Sequence, residues 1–157
     1  MFGENDIVGE TKLMISKKGK IILPEFTCSE PNDKLGLMYG LGRVSPKLSV
    51  RDYLNRTRIV IMRLQEFEEK IESLHQYTVE LRESGQIDYH GFLDWQRIIY
   101  AMIAISRETV SNLRKIEIPQ SPIKCLNITD SVYAVGEEKR LILYPTREQY
   151  LSTLKIK

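Results

Sequence analysis

The block from Ser49 to Ile116 constrains the chain most, because two long runs within it carry apolar residues at alternating three- and four-residue steps. The first run is Val60, Leu64, Phe67, Ile71, Leu74, Thr78 and Leu81. The second is Phe92, Trp95, Ile99, Met102, Ser106, Thr109, Leu113 and Ile116. Such spacing keeps one stripe on one face of an α-helix. The block therefore predicts two helices folded back on each other, the first from Val50 to about Glu83 and the second from about Asp88. Ser49 offers a cap, with Asp52 three residues on as a short version of the capping-box acid. Ser84-Gly85-Gln86 ends the pattern as a helix C-terminus and tight connection would. At about 1.5 Å per residue, each helix would be on the order of 45–50 Å long, which predicts an elongated shape.

The second run is apolar on more than one face, since Ile98, Tyr100, Ile103 and Ile105 lie outside its stripe. A two-helix hairpin cannot cover that surface. Ser121-Pro122, a capping serine followed by proline at the first helical position, opens a candidate third helix carrying Cys125, Ile128, Val132, Val135 and Ile142. Tyr144-Pro145 stops it, and Thr146 with Gln149 starts a short last helix to about Leu154. The rival reading of this third is a β-hairpin, with Ser131–Val135 and Arg140–Tyr144 bracketing Gly136-Glu137-Glu138-Lys139. Gly136 inside a helix would cost about 1 kcal/mol against alanine.

Six of the nine glycines fall before residue 49, which sets that part of the chain apart. There Thr11–Ser16 and Lys20–Leu23 flank Lys17-Lys18-Gly19 and read as two short strands around a glycine turn, ended by Pro24. A loop follows, held down by Leu35, Leu37, Met38, Tyr39 and Leu41. The expected fold class is thus mainly α: one domain over 1–157, with an N-terminal β-hairpin and loop at 1–48 and an antiparallel three-helix bundle at 49–157. The alternative is an α+β protein with a long helical hairpin packed on terminal β-hairpins.

The 157 residues suit one domain, and 42% hydrophobic with 28% charged residues exclude wholesale disorder. The longest apolar run, Ile98–Ile105, is far below the roughly 18–20 residues of a membrane span. Met1–Glu10 lacks a basic start followed by an apolar stretch, so the expected location is cytoplasmic, with no membrane partner. Cys28 and Cys125 are too isolated for a disulfide framework or zinc site and read as structural thiols. Asn55-Arg56-Thr57 and Asn127-Ile128-Thr129 read as chance sequons.

Chemistry is sparse. His75 and His90 are the only histidines, and neither stands at metal-ligand or triad spacing from a cysteine or paired carboxylates. Both read as surface residues. Glu66, Glu68, Glu69 and Glu72 read as a solvated face, with Glu66 and Lys70 as an ion pair four residues apart. Trp95 and Phe92 read as core. No catalytic, cofactor or metal residue is expected. Charge is more informative: Arg51, Arg56, Arg58 and Arg63 make the start of the first predicted helix basic, while its second half is acidic. In an antiparallel hairpin, Arg107, Arg114 and Lys115 would return to the basic end.

The segment Met14–Phe26, reading M-I-S-K-K-G-K-I-I-L-P-E-F, resembles the opening strand pair of swapped-hairpin DNA-binding proteins of the AbrB and MraZ type. Those families carry a K-G-R-[IV]-x-[IL]-P core, with Lys20 here at the usual arginine. The resemblance covers about a dozen residues, and the short helix expected next is replaced by a proline- and glycine-rich loop. It implies that Lys17, Lys18 and Lys20 face phosphates. The first functional expectation is a non-enzymatic protein-binding or assembly module acting through helical surfaces, with a protein partner or self-association. The second is a DNA-binding regulator using Lys17, Lys18, Lys20 and the basic end.

Overall fold

The computed structural model describes residues 1–40 and 58–154. Among the described residues the fold is α+β, with eight strands and four helices, and is neither a three-helix bundle nor a coiled coil. Strands β1 (Glu10–Met14), β2 (Lys20–Ile22), β3 (Lys34–Tyr39) and β4 (Ile59–Arg63) come first. Helices α1 (Leu64–Glu83) and α2 (Tyr89–Ile98) follow, and a π-helical segment, Ile99–Ile103, leads into β5 (Ala104–Thr109) and β6 (Lys115–Glu117). Helix α3 (Gln120–Cys125), β7 (Ser131–Glu137), β8 (Arg140–Tyr144) and α4 (Arg147–Leu154) complete the chain.

Three stretches expected as helix are strand. Ile59–Arg63 lies inside the sheet with Ile59, Val60, Ile61 and Met62 all buried; a strand covered on both faces shows no polar alternation, so three-four stepping passes through it unopposed. The second helix stops after Ile103, leaving Ser106 and Thr109 on β5 and Ile116 on β6. The third helix is confined to α3, and β7 and β8 form the hairpin of the rival reading. The Ser49 cap and Leu41 lie outside the described residues. The cap at Thr146 is present, its Oγ1 accepting from Gln149 N at 3.2 Å.

All pairings are antiparallel. One sheet runs β1-β7-β8-β4-β3-β5, and β2 and β6 form a separate ribbon. The N-terminal strands therefore exist, but neither pairs with the other: β1 joins β7, and β2 joins β6. This order is a palindrome in which β1–β4 correspond to β5–β8. Lys34 opposite Thr109 matches Ser131 opposite Met14, and Leu37 opposite Ser106 matches Ala134 opposite Thr11. Leu37 opposite Ile61 likewise matches Ala134 opposite Leu143. At the centre, Ile21 faces its own equivalent Ile116, and Val60 faces Ile142. Hydrogen bonds off the ladders repeat too: Ile15 N donates to Asp130 O and Val110 N to Asp33 O, both at 2.9 Å. The chain thus contains two copies of one unit, related by a pseudo-twofold axis, with each copy's first strand paired to the other's third.

The sheet is covered on both faces. The ribbon, the 3-10 turn Glu25–Thr27 and α3 enclose one cluster, in which Ile21, Leu23, Ile116 and Ile118 meet Leu35, Leu37, Ile61 and Leu143. Helices α1 and α2, inserted between the copies, cover the other face, where Phe67, Ile71, Trp95 and Ile98 meet Met38, Val60, Met62 and Ile142. The helical stripe is real over 64–81, and it is consumed by the sheet. Gly36 permits the contact: a Cβ there would sit 2.1 Å from Phe67 Cγ. Gly36→Ala should destabilise the protein by about 1–3 kcal/mol through overpacking, and Phe67→Ala by about 3–5 kcal/mol through a cavity. In chemical denaturation the double variant should lose less than the two single losses added, because removing the ring removes the clash.

Candidate nucleic-acid interface

The ribbon is two-faced by strand periodicity. Ile21 and Ile116 point inward and are 1% and 3% exposed, while Lys20, Ile22, Lys115 and Glu117 occupy the outer positions, Lys115 half-buried and the others exposed. The first turn, between β1 and β2, and the second, between β5 and β6, are built alike. Ser16 Oγ accepts from Lys20 N at 3.0 Å, and Ser111 Oγ accepts from Lys115 N at 3.1 Å. Gly19 and Arg114 take the equivalent left-handed position, with φ of 87° and 57°. A Cβ at Gly19 would lie 2.2 Å from Ile118 O, so glycine is needed in the first turn, whereas the second accommodates a cation.

Of the ten basic residues singled out by sequence, the structure describes eight and does not gather them at one place. Arg51 and Arg56 lie outside the described residues. Arg58, just before β4, donates from Nη1 to Tyr144 Oη at 3.0 Å, and Arg63 ends β4 with its side chain against Gly3. Arg107 is on β5, where its guanidinium meets both Glu68 oxygens at 2.6 and 3.1 Å. Arg114 lies 3.9 Å from Glu25. Among the described residues no single basic end of a helical hairpin gathers them. Lys17, Lys18, Lys20 and Lys115 remain together on the ribbon and its first turn, and none of these four is in an ion pair among the described residues.

The acidic face of α1 is also not merely solvated. Glu66 reaches Arg140, which donates from Nε at 2.6 Å, in place of the expected Lys70 pair. Glu68 is held below the usual carboxylate range, chiefly by the hydrogen bond from Arg107. His75 is partly buried, its Nδ1 2.6 Å from Gln96 Oε1, and Gln96 Nε2 donates to Thr78 Oγ1 at 2.6 Å. That network joins α1 to α2. His90 is exposed, as are the thiols of Cys28 and Cys125, which form no disulfide. Trp95 is buried and Phe92 half-buried, with the Arg82 guanidinium 5.2 Å above the Phe92 ring. No group of three or more metal-ligating side chains occurs among the described residues, and no helix there is long and apolar enough to cross a membrane.

A solvent-open groove runs along the ribbon, lined by Lys20, Lys115, Glu108 and Glu117. Glu117 is opposite Lys20 in the register, and its N–H donates to Glu108 Oε1 at 3.2 Å. Burial, reinforced by the charge of Glu117, pushes the Glu108 carboxyl up. Sequence reasoning missed this pair. It also missed the repeat that would have found the ribbon: Ser16, Lys20, Ile21, Pro24 and Asp33 recur as Ser111, Lys115, Ile116, Pro119 and Asp130. No protein-family model and no curated protein matches the chain.

Because the folded form holds the Glu108 proton more tightly than the unfolded chain, this group's favourable contribution is lost as pH rises through its raised pKa. Glu108→Gln should therefore melt higher than the parent protein near pH 7. The gap should close below about pH 4, where the parent carboxyl is protonated in both states; thermal melts between those limits check it.

Proposed function

We propose that the protein binds duplex DNA through the outer face of the β2–β6 ribbon and the adjoining first turn. The observation that carries this reading is that Lys17, Lys18, Lys20 and Lys115, none in an ion pair among the described residues, lie together on the ribbon and its first turn. Ammonium groups held on a narrow two-stranded ribbon suit phosphates, whose neutralisation releases condensed counterions. The resemblance of Met14–Phe26 to swapped-hairpin DNA-binding proteins supports the same reading, since the second copy supplies a partner hairpin within the chain. A cytoplasmic location accords with this function.

Protein contact through helical surfaces would need the striped faces of α1 and α2 to be free. Phe67, Ile71, Leu81, Trp95 and Ile98 of those helices are buried, so the stripe is not a free surface.

Fluorescence anisotropy on a mixed-sequence duplex tests the proposal. Binding should weaken steeply with salt, and Lys20→Ala/Lys115→Ala should flatten the log–log salt slope by about 2, near one per phosphate contact. Absence of binding at low salt, or a slope unaltered in the double variant, would reject it.

A further inference from the structure

The two hairpin turns occupy equivalent places beside the ribbon, yet their chemistry has diverged. In the first turn Lys17 and Lys18 are exposed beside Gly19, and the side chain from the other copy that reaches it is neutral: Gln120 Nε2 donates to Lys17 O at 3.1 Å. In the second turn the equivalent positions hold Asn112, Leu113 and Arg114. The one guanidinium there is met by Glu25, which occupies the place equivalent to Gln120. Counting the turn with the side chain beneath it, the first carries two positive charges and the second none. Leu113 is moreover 68% exposed, offering an apolar tip where the first offers an ammonium.

From this divergence, and resting on the DNA-binding reading, we infer that the pseudo-symmetric molecule engages the duplex from one end only. The Lys17-Lys18 turn grips backbone phosphates and the Asn112-Leu113-Arg114 turn stays off them. A symmetric pair of turns would read two equivalent half-sites about the axis. Here the duplex is held by one turn and the shared lysines of the ribbon, so the footprint is lopsided about the axis. Phosphates at the far end would meet the Glu25 carboxylate and a leucine, which repel or fail to attract them.

The experiment compares turn variants of the full chain by anisotropy on the same mixed-sequence duplex across a salt series. Lys17→Ala/Lys18→Ala should weaken binding at least about tenfold near 0.1 M salt and flatten the slope by about 2. Arg114→Ala should change affinity by less than about twofold. Asn112→Lys/Leu113→Lys, which copies the first turn onto the second, should tighten binding and steepen the slope. Equal losses from the Lys17/Lys18 and Arg114 variants, or no gain from the added lysines, would overturn the one-ended arrangement while leaving DNA binding intact. No binding by the parent protein would overturn both, and circular dichroism of each variant separates a lost contact from a lost fold.

Discussion

The exchange of strands between the two copies is the constraint on which the rest of the molecule depends. Within each copy the first strand lies away from its own third strand: β1 pairs with β7, and β3 pairs with β5. The second strands, β2 and β6, have only each other. A single copy would therefore hold unpaired backbone donors and acceptors along all four of its strands, since β4 likewise pairs with β8 of the other copy, each costing free energy comparable to a lost hydrogen bond if buried. It would also lack half of its core, because Ile21 and Leu23 pack in one cluster with Ile116, Ile118 and Val132. Joining both copies in one chain makes the ribbon's two lysines part of one surface without any need for association.

The inserted helices solve a different problem. A sheet of six strands has two faces, and the duplicated unit covers only one of them with its ribbon and short helical turns. Leu64–Ile98 covers the other, together with Tyr150 of α4, so an amphipathic hairpin placed between the copies completes the core. The insertion has electrostatic consequences as well, since Glu66 and Glu68 project from α1 onto Arg140 and Arg107 of the second copy. The exposed pair, Glu68 with Arg107, contributes little to stability. The two pairs do commit two cations to the fold, whereas Lys17, Lys18, Lys20 and Lys115 of the ribbon and its first turn are in no ion pair among the described residues.

Much of this was legible in the sequence at the level of elements and little at the level of pairing. The strands at 10–14 and 20–22, the helix over 64–83 and the hairpin at 131–144 all follow from local pattern, the last as the rival of a helix. Val60 was misread because a strand buried on both faces, Ile59-Val60-Ile61-Met62, has no alternation to set against a helical step. The run Ile98–Ile105 was ambiguous for a similar reason, as its helical part gives way to strand at Ala104 without a polar break. Pairing lies beyond any periodicity argument, since nothing local to β1 distinguishes β2 from β7 as its partner. The repeated Ser, Lys-Ile, Pro and Asp positions did carry that information. Their spacing differs between Pro and Asp, by nine residues in one copy and eleven in the other (33 − 24 and 130 − 119), and the 35-residue helical insertion separates them further. The lysines of the site were visible from the start, whereas their separation from Arg58, Arg63, Arg107 and Arg114 depends on partners that only the fold supplies.

The exchanged pairing also bears on how the chain comes into being. Strand β1 ends at Met14 and its partner begins at Ser131, so at roughly 5–20 residues per second the first strand waits on the order of ten seconds for its neighbour. During that interval β1, β2 and the outer edges of β3 and β4 are open templates, and Ile21 and Leu23 lack the cover of Ile116, Ile118 and Val132. Topologies dominated by such distant contacts fold slowly, because loop-closure entropy is lost before the contacts repay it. Lys12, Lys17, Lys18 and Lys20, spread over the first hairpin, put like charges along these edges and disfavour pairing between two unfinished chains. The lysines suited to phosphates would then also guard the nascent protein against itself.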